Sequence, residues 1–291
     1  MALNCRGVNC ARRFSEINPI QKDAMFSIIT PVLNGMPYLP QAVRSVAEAS
    51  EGVVVQHIIM DGGSTDGTLR WLEDNQDYGY EIVSGKDSSQ SEALIKGFER
   101  AHGRYLAWLN ADDLLEPDAL AKVHRAFSTS DAWVAVSGAA LVINGENEII
   151  GSTKALPNGE LSSLLGHLQN IPQPSTFFRR DIYNLVAGIN LNLNYAMDVD
   201  LWLQLAKHGP IHVMKNEILS RVRIHDGAKT VNNQDATARE DLMVRLKHGM
   251  SLTSKNSLHL SKRGFIYPCL RPFQKLAKRA LAKTPLKHNG K

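Results

Sequence analysis

Short apolar runs alternate with helical patterns through the first 110 residues, and this alternation limits the fold more than any other feature. Runs typical of β-strands cover residues 26–33, 53–60, 80–84 and 105–109. Helical patterns lie between them at residues 38–49, 68–75 and 89–102, and the last opens with the capping box Ser89 to Glu92. Strands that alternate with helices on this period indicate βαβ units. The sequence therefore predicts an α/β fold with a doubly wound, mostly parallel sheet.

The second half of the chain predicts an antiparallel extension of that sheet. Strand-like runs cover residues 133–138 and 141–150, with Asn144-Gly145 as a hairpin turn, and further runs lie at residues 176–178 and 218–224. Helices are expected near residues 181–186 and at residues 198–207, where DVDLWLQLAK has an amphipathic pattern. With no internal repeat, we expect one continuous domain over residues 24–250, between an N-terminal extension (1–23) and a C-terminal tail (251–291).

Length and composition fit a globular protein without a membrane span. The 291 residues are 43% hydrophobic, enough for one large core, and no apolar run approaches the ~20 residues that cross a bilayer. The N-terminus lacks the continuous apolar segment of a signal peptide, so we expect a cytoplasmic protein. Cys5, Cys10 and Cys269 have no metal-ligand spacing, and we expect neither a disulfide framework nor a structural zinc site.

Basic charge is concentrated in the C-terminal tail. Residues 255–291 hold 10 of the 33 Lys and Arg and none of the 29 Asp and Glu, so the first 254 residues carry a formal charge of −6. Apolar residues recur at helical spacing between Leu270 and Leu281, with basic residues around them. Two interpretations stay open: a basic amphipathic helix on an anionic membrane surface, or a helix packed on the domain with a solvated basic face. The acidic body and the few aromatic residues of the tail argue against a nucleic acid partner.

Polar loops follow all four strands predicted in the first half. They contain TPVLNG (30–35), DGGSTDGT (61–68), GKD (85–87) and the pair Asp112-Asp113. Because parallel strands present their carboxyl ends at one edge of the sheet, these loops converge on the crevice where such folds bind ligands. The pair Asp112-Asp113 could hold Mg²⁺ or Mn²⁺ together with a bound diphosphate, or could simply begin the next helix.

Three further features each have a functional and a structural interpretation. Loop 61–68 lets backbone approach a ligand and places Asp61 at a strand end, yet it also fits a turn followed by a helix cap. Asp198 fits a helix cap, or a general base that the helix dipole keeps ionised. His225 fits a metal ligand or a structural histidine. Taken singly, none of these features decides between its two interpretations.

Together these segments resemble family 2 glycosyltransferases of the GT-A fold. The matching segments are SIITPVLNG (27–35), DGGSTDGT (61–68), residues 86–97, LNADD (109–113), QPSTFFRR (173–180), YAMDVDLWLQL (195–205) and RIHDGAKT (223–230). The resemblance covers roughly residues 25–245 and rests on the joint order and spacing of the segments. It implies an inverting enzyme that moves a sugar from a nucleoside-diphosphate sugar to a hydroxyl of a glycan or lipid-linked acceptor, in cell-surface polysaccharide synthesis.

The resemblance also implies a role for each matching residue. Asp198 would be the general base, and Asp113 and His225 would hold a divalent cation, Mn²⁺ or Mg²⁺. The residues implied to bind the nucleotide sugar are Thr30, Pro31, Asn34, Asp61, Gly62, Ser64, Asp87 and Asp112. Those implied to contact the acceptor or the diphosphate are Gln173, Trp202 and Arg223.

The sequence departs from the common pattern of the family at Gln56, Ser89, Ile95 and Met197. Because Ile95 removes a polar contact near the sugar site, the resemblance leaves the donor sugar open. A non-catalytic protein that binds nucleotide sugars would keep the fold without the chemistry, but the acidic residues and the histidine of the pattern are all present. A nucleotidyltransferase would need basic residues in the loop after the first strand, and residues 30–35 contain none.

We predict that membrane affinity, if the protein has it, lies in the basic tail. In co-sedimentation with liposomes that contain anionic lipids, a form truncated after Ser254 should bind less than the full-length protein, because it lacks ten basic residues. Equal sedimentation of the two forms would remove the membrane interpretation and leave the packed helix.

Overall fold

The computed structural model describes residues 24–153, 158–166, 171–229 and 233–263. The N-terminal extension, the three cysteines and the basic helix predicted between Leu270 and Leu281 therefore lie outside the described residues. Within the described ranges, no helix is both long enough and apolar enough to cross a membrane.

Nine strands in these ranges form one sheet. They are β1 (Phe26–Val32), β2 (Val55–Asp61), β3 (Tyr80–Ser84), β4 (Tyr105–Trp108), β5 (Leu114–Leu115), β6 (Ala135–Ile143), β7 (Ile149–Ser152), β8 (Thr176–Arg179) and β9 (Ile211–Arg223). Their order across the sheet is β3-β2-β1-β4-β8-β6-β9-β5, and β7 pairs with the C-terminal part of β6.

Helices fill the connections between the strands. They are α1 (Leu39–Ala49), α2 (Thr68–Asp74), α3 (Gln90–Arg100), α4 (Ala119–Phe127), α5 (Leu161–Gly166), α6 (Arg180–Tyr183), α7 (Met197–Leu205), α8 (Gln234–Lys247) and α9 (Lys255–Ser261). The capping box predicted for α3 holds in one direction only. The Ser89 hydroxyl accepts the N–H of Glu92 at 3.2 Å, whereas the Glu92 carboxylate accepts the N–H of Ser88.

Strands β1 to β4 form the parallel half of the sheet that the sequence predicts. β1 lies between β2 and β4, and β3 pairs with β2, all in parallel register. Each strand begins and ends within two residues of its predicted bounds. Side chains of β1 alternate between two apolar clusters: Phe26 and Ile28 pack with α1 and α4, and Ile29 packs with α3. Helices therefore cover both faces, as expected for a doubly wound sheet.

The second half of the sheet is mixed. β8 pairs antiparallel with β4 and β6, as predicted, whereas β9 pairs parallel with β6. The hairpin predicted at Asn144-Gly145 is confirmed, since β6 and β7 pair antiparallel around it. The predicted break between residues 138 and 141 is wrong: residues 135–143 form the single strand β6, because the chain stays paired with β9 across register shifts at Gly138 and Ala139. β9 also begins seven residues before its predicted start, since the polar residues 215–217 interrupt the apolar pattern without ending the strand.

Helix α7 is a core helix, which corrects the amphipathic pattern expected from the sequence. Eight of its nine residues are buried, Asp200 and Gln204 among them. Both polar side chains have partners inside the protein: Gln204 donates to Asp200 at 2.8 Å, and the other Asp200 oxygen lies 2.8 Å from His248 Nε2. A helix that is buried all round belongs to the interior of the domain. Asp198, the second residue of α7, is therefore carried by a rigid element.

Gly103 lets the chain enter β4, the strand that leads to Asp112 and Asp113. A Cβ atom at this position would lie 2.5 Å from both Phe26 C and Ser27 N, which are backbone atoms and cannot turn away. The Gly103 N–H also donates to the Ser27 hydroxyl at 2.8 Å. The close approach of the two strands at this point thus requires glycine.

We predict that Gly103→Ala lowers the free energy of unfolding by about 2 kcal/mol, because overpacking of a closed contact costs roughly 1–3 kcal/mol. Urea denaturation at constant m-value measures the change. Gly85→Ala is the matched control, since a Cβ atom there meets none of the described residues within 4 Å. The control should change stability by less than about 0.5 kcal/mol. Equal stability of the two variants would contradict the assignment.

Candidate active site

A cavity of about 680 Å³ opens at the carboxyl ends of β1 and β4. Its walls come from the loops after these strands, from residues 194–198 at the start of α7, and from residues 222–229 after β9. Eight residues predicted from the sequence line it: Pro31, Asn34, Asp112, Asp113, Gln173, Asp198, Arg223 and His225. The structure therefore brings the two halves of the predicted site together.

The other six predicted residues lie away from the cavity wall. They are Thr30, Asp61, Gly62, Ser64, Asp87 and Trp202. Thr30 is buried in β1, where its hydroxyl lies 2.9 Å from Nε2 of His57. Burial lowers the pKa of His57 to about 3, so the imidazole is neutral at pH 7. The contact of Thr30 is thus an internal one.

Residues of loop 61–68 fix the loop that does line the cavity. The Asn34 N–H donates to the Ser64 hydroxyl at 2.8 Å, and the Asn34 side-chain oxygen accepts the N–H of Thr65 at 2.8 Å. Asn34 has a φ of 55°, in the left-handed region that asparagine tolerates. Asp61 closes the other end, accepting the N–H of Ser64 at 3.1 Å and the hydroxyl of Ser84 at 2.7 Å. These contacts hold Pro31 and Asn34 at the cavity.

Gly62 and Asp87 have local partners of the same kind. The Gly62 N–H donates to Val32 O at 2.9 Å and continues the pairing of the first two strands beyond their ends. The Asp87 carboxylate accepts from Lys96 Nζ at 2.6 Å and has a nearly buried side chain. Both residues therefore lie at the predicted edge of the sheet without facing the cavity.

Trp202 is a core residue, and this corrects its predicted contact with an acceptor. It is 2% exposed, and its ring stacks on Trp108 with centroids 5.5 Å apart. Phe178 packs against it edge-on at 5.8 Å. Trp202 lies one helical turn after Asp198, but Trp108, which lines the cavity, covers its ring.

The Arg223 side chain is already occupied by the protein, which argues against its predicted contact with a diphosphate. Its guanidinium donates to Asp112 O at 2.8 Å, to Asn147 Oδ1 at 2.8 Å and to Gln41 Oε1 at 3.0 Å. The same group lies 4.6 Å from the ring centroid of Tyr38. At 2% exposure, Arg223 joins the loop after β4, the β6–β7 hairpin and α1.

Asp113 is buried, and both of its carboxylate oxygens have partners within the protein. One oxygen accepts the Arg223 N–H at 3.0 Å, and the other accepts from Asn110 Nδ2 at 3.1 Å. Burial and the charge of the neighbouring Asp112 raise the pKa of Asp113. Asp113 is 4% exposed and therefore fits a structural carboxylate better than the predicted ligand of a cation.

Asp112 and His225 form the donor pair that faces the cavity. The Asp112 carboxylate oxygen lies 3.1 Å from His225 Nε2, and both side chains are partly exposed. The Tyr38 ring packs against the imidazole at 4.8 Å, and the Gly227 N–H donates to its Nδ1 at 3.2 Å. Nε2 therefore carries the proton in this arrangement, and a cation bound at Nε2 would displace it.

These two side chains fit a divalent cation that also binds a substrate. Two neighbouring ligands of an octahedral ion with bonds of about 2.1 Å lie about 3 Å apart, close to the observed 3.1 Å. No group of three or more metal-binding side chains occurs among the described residues. Mg²⁺ and similar ions are commonly held by one or two protein ligands together with substrate phosphates. The geometry thus favours Asp112 and His225, rather than Asp113 and His225, as the cation pair.

Asp198 has one oxygen in use and one free. Its Oδ1 accepts the N–H of Val199 at 2.8 Å, at the N-terminal end of α7, and the structure gives Oδ2 no hydrogen-bond partner among the described residues. Burial, together with the charge of Asp241, raises the pKa of Asp198 to about 6. A carboxylate with this pKa is ionised at pH 7 and basic enough to accept a proton.

Sequence reasoning missed a row of polar side chains along the cavity. Lys229 Nζ donates to Gln90 Oε1 at 3.5 Å, Gln90 Nε2 donates to Asn110 Oδ1 at 2.8 Å, and Asn110 Nδ2 donates to Gln173 Oε1 at 3.2 Å. Lys229 also lies 5.3 Å from the ring centroid of Tyr195. Gln90, Asn110 and Lys229 all fall inside segments that carried the resemblance, so their polarity was the available signal.

Comparisons with known proteins point in one direction. The sequence profile of "Glycosyl transferase family 2" matches residues 27–185. A PGL/p-HBAD biosynthesis glycosyltransferase from Mycobacterium tuberculosis is 31% identical over 182 residues, which cover 60% of this chain and 67% of the relative. Chondroitin synthase from Escherichia coli is 26% identical over 199 residues, covering 67% of this chain and 29% of that protein.

Solved structures share the fold at low sequence identity. TarS from S. aureus, solved with UDP-GlcNAc, superposes with a TM-score of 0.62 at 16% identity, over 82% of this chain and 70% of that chain. The mannosyltransferase PcManGT from Pyrobaculum calidifontis, solved with GDP-Man and Mn²⁺, gives 0.60 at 16% identity, over 90% and 76%. The predicted α/β architecture of the GT-A type is thereby confirmed.

We predict that Asp198 costs stability at neutral pH. Because the folded pKa of about 6 lies above that of an unfolded aspartate, the folded state binds more protons between pH 4 and 6, and stability falls as the pH rises through this window. At pH 8, urea denaturation should therefore give Asp198→Asn a free energy of unfolding about 1–3 kcal/mol higher than that of wild type. At pH 4 the variant should show no such gain. Asp77→Asn, at an exposed position, is the control. A gain of equal size at both pH values would contradict the prediction.

Proposed function

Because the chain belongs to glycosyl transferase family 2 and is an enzyme that transfers sugars, we propose that its donor is a nucleoside-diphosphate sugar and that it transfers with inversion. The acceptor in this proposal is a hydroxyl of a glycan or lipid-linked molecule. Asp198 is the observation that carries the proposal: a carboxylate with one free oxygen, held at the start of a buried helix and on the wall of the cavity. That arrangement suits a group that takes a proton from an acceptor hydroxyl.

The donor side of the proposal rests on the charges along the cavity. Arg223 is occupied by the protein, whereas Lys229 forms no ion pair within the described residues and lies beside the neutral Gln90. An ammonium group in that place suits the negative charge of a diphosphate. The structural neighbours with bound UDP-GlcNAc and GDP-Man support a nucleotide sugar as donor, without choosing its base.

Asp112 and His225 would hold a divalent cation, Mn²⁺ or Mg²⁺, in the proposed enzyme. When bound, such an ion supplies Lewis-acid stabilisation of the negative charge on a leaving diphosphate. The neighbour solved with Mn²⁺ supports this choice of cofactor class. The 3.1 Å separation of the two side chains is the feature of this chain that supports it directly.

The residues of the chain then divide the reaction between them. Asp198 takes the proton as the acceptor oxygen forms its bond to the anomeric carbon, and the bond from that carbon to the diphosphate breaks. Lys229 balances the charge that remains on the diphosphate. A covalent intermediate would need a second free carboxylate, but Asp113 is buried with a hydrogen bond at each oxygen, and Asp112 is paired with His225. One base and no nucleophile is the arrangement of an inverting transfer.

The acceptor is the least constrained part of the proposal. Chondroitin synthase, one of the relatives, is named for a polysaccharide, which supports a glycan acceptor. A lipid-linked acceptor would agree with a basic tail on a membrane surface, and the tail beyond residue 263 lies outside the described residues. A role in cell-surface polysaccharide synthesis remains part of the same proposal.

The proposal predicts a metal-dependent response to one nucleoside diphosphate. In a thermal-shift panel of UDP, GDP, dTDP and CDP with and without Mn²⁺, we expect one of them to raise the Tm by several degrees only when Mn²⁺ is present. A ligand at about 100 times its Kd stabilises by about 2.7 kcal/mol, which is enough for such a shift.

Variants of the site make the same panel diagnostic. Asp112→Asn should lose the Mn²⁺-dependent shift, whereas Asp198→Asn should keep it, because a base is not needed for donor binding. If Asp113→Asn lost the shift and Asp112→Asn kept it, Asp113 rather than Asp112 would be the ligand of the cation. No response of wild type to any of the four diphosphates would favour the non-catalytic alternative.

A further inference from the structure

One side chain of α8, Glu240, holds the segment that leads into α7. Its carboxylate accepts three successive backbone N–H groups: those of Asn194 (3.0 Å), Tyr195 (2.7 Å) and Ala196 (3.1 Å). Glu240 is separated from these residues by more than 40 positions in the sequence, and nothing in the local pattern indicates the contact. The three N–H groups thus share a single anionic acceptor supplied by another helix.

The contact lies at a helix end that has no side-chain cap of its own. Ala196 occupies the N-cap position and has no side chain that could accept a hydrogen bond. The first N–H groups of a helix have no partner within the helix and are usually satisfied by a capping side chain. A carboxylate close to this end also interacts favourably with the helix dipole. Of the three N–H groups that Glu240 binds, that of Ala196 belongs to the N-cap residue and the other two to the segment before it. Glu240 therefore fixes the chain where it enters α7.

A second tie between α7 and the C-terminal end of α8 is independent of Glu240. Asp200 Oδ1 lies 2.8 Å from His248 Nε2 and 3.3 Å from Lys247 Nζ, inside the protein. This tie fixes the body of α7, with Leu201 and Trp202 packed in the core. Loss of Glu240 would therefore loosen the entry to the helix without removing the helix from its place.

The entry to α7 is also the part that faces the cavity. Asn194, Tyr195 and Asp198 all line the cavity wall, and the Tyr195 ring lies beside Lys229. Asp198 follows Ala196 by two residues, and its Oδ1 is bound to the N–H of Val199 in the same turn. A shift of this first turn would move the Asp198 carboxylate with it.

Glu240 has no competing ionic partner among the residues that the structure describes. Its contacts there are the backbone N–H groups of residues 194–196, and Lys229 influences it only at longer range. The neighbouring Asp241, by contrast, is paired with Arg245 at 2.6 Å. Of these two adjacent acids, Asp241 thus forms an ion pair within α8, whereas Glu240 binds the segment that leads into α7.

We infer that Glu240 is a positioning residue for Asp198, holding the first turn of α7 so that the carboxylate of the base meets the acceptor. This inference rests on the proposed role of Asp198. It assigns part of the catalytic arrangement to α8, a helix that itself contributes no residue to the cavity wall.

Kinetics of Glu240 variants test the inference. The assay is the release of UDP or GDP from UDP-glucose, UDP-N-acetylglucosamine or GDP-mannose with Mn²⁺ and water as acceptor. Glu240→Ala should lower kcat by about 10- to 100-fold with the KM for the donor within about twofold, because a misplacement of about 1 Å at a reacting group can cost up to 10²-fold. Glu240→Gln keeps one acceptor oxygen and should recover most of kcat.

Arg239→Ala is the matched control. Arg239 is the preceding residue of the same helix and is exposed, so its removal should leave kcat and KM unchanged. Hydrogen exchange at the amides of residues 194–196 gives a readout that needs no substrate. Exchange there should be at least tenfold faster in Glu240→Ala than in wild type, and unchanged in Arg239→Ala.

A double-mutant comparison separates this inference from the function on which it depends. In an Asp198→Asn background, Glu240→Ala should lower the residual rate by less than about twofold, since its effect acts through Asp198. Turnover of Asp198→Asn equal to wild type would overturn the proposed base. A strong loss in Asp198→Asn with wild-type kcat in Glu240→Ala, or unchanged amide exchange at 194–196, would overturn the role of Glu240 alone.

Discussion

The cavity depends on one buried carboxylate, that of Asp113, which joins the two halves of the sheet. It accepts an N–H from Arg223 at the end of β9 and an N–H from the Asn110 side chain after β4. A buried carboxylate without partners costs several kcal/mol, so this one is satisfied only when both halves are in place. Asp112 precedes it in the chain, and His225 follows Arg223 by two residues. The same cross-link that lets Asp113 be buried therefore brings the two candidate cation ligands within 3.1 Å of each other.

Local signals made the parallel half of the fold predictable, and tertiary contacts decided most of what was missed. The strands up to Trp108 carry continuous apolar runs, and the loops after them are polar, so both the sheet and the edge that bears the site follow from the sequence. Which of two adjacent aspartates becomes buried does not follow, because the choice is made by Arg223, 110 positions away. Trp202 is a second example of a tertiary effect. The sequence predicted its helix, but not that the rest of the protein would bury the helix on all sides.

The chemistry that we propose is divided between the residues that match the family profile and the rest of the chain. The family profile ends at residue 185, and it includes Asp112 and the polar row from Gln90 to Gln173. Asp198, His225 and Lys229 all come later in the chain. They lie on a buried helix, after the end of a long strand and in the segment before α8, respectively. The region that identifies the family thus supplies Asp112 and most of the polar row, whereas the proposed base, the second proposed cation ligand and the lysine proposed for the diphosphate all lie beyond the profile.

The β6–β7 hairpin has a consequence for how this protein can diverge. Surface hairpins usually accept insertions and deletions with little effect, because their tips touch only solvent. Here Asn147, at a φ of 70°, accepts a hydrogen bond from Arg223 through its side chain, and Asn144 accepts another through its carbonyl oxygen. A change in loop length would move these oxygens away from the buried Arg223 guanidinium, which also contacts Tyr38. Because these hydrogen bonds connect the hairpin to the cavity wall, we expect evolution to tolerate substitutions in the hairpin better than insertions or deletions.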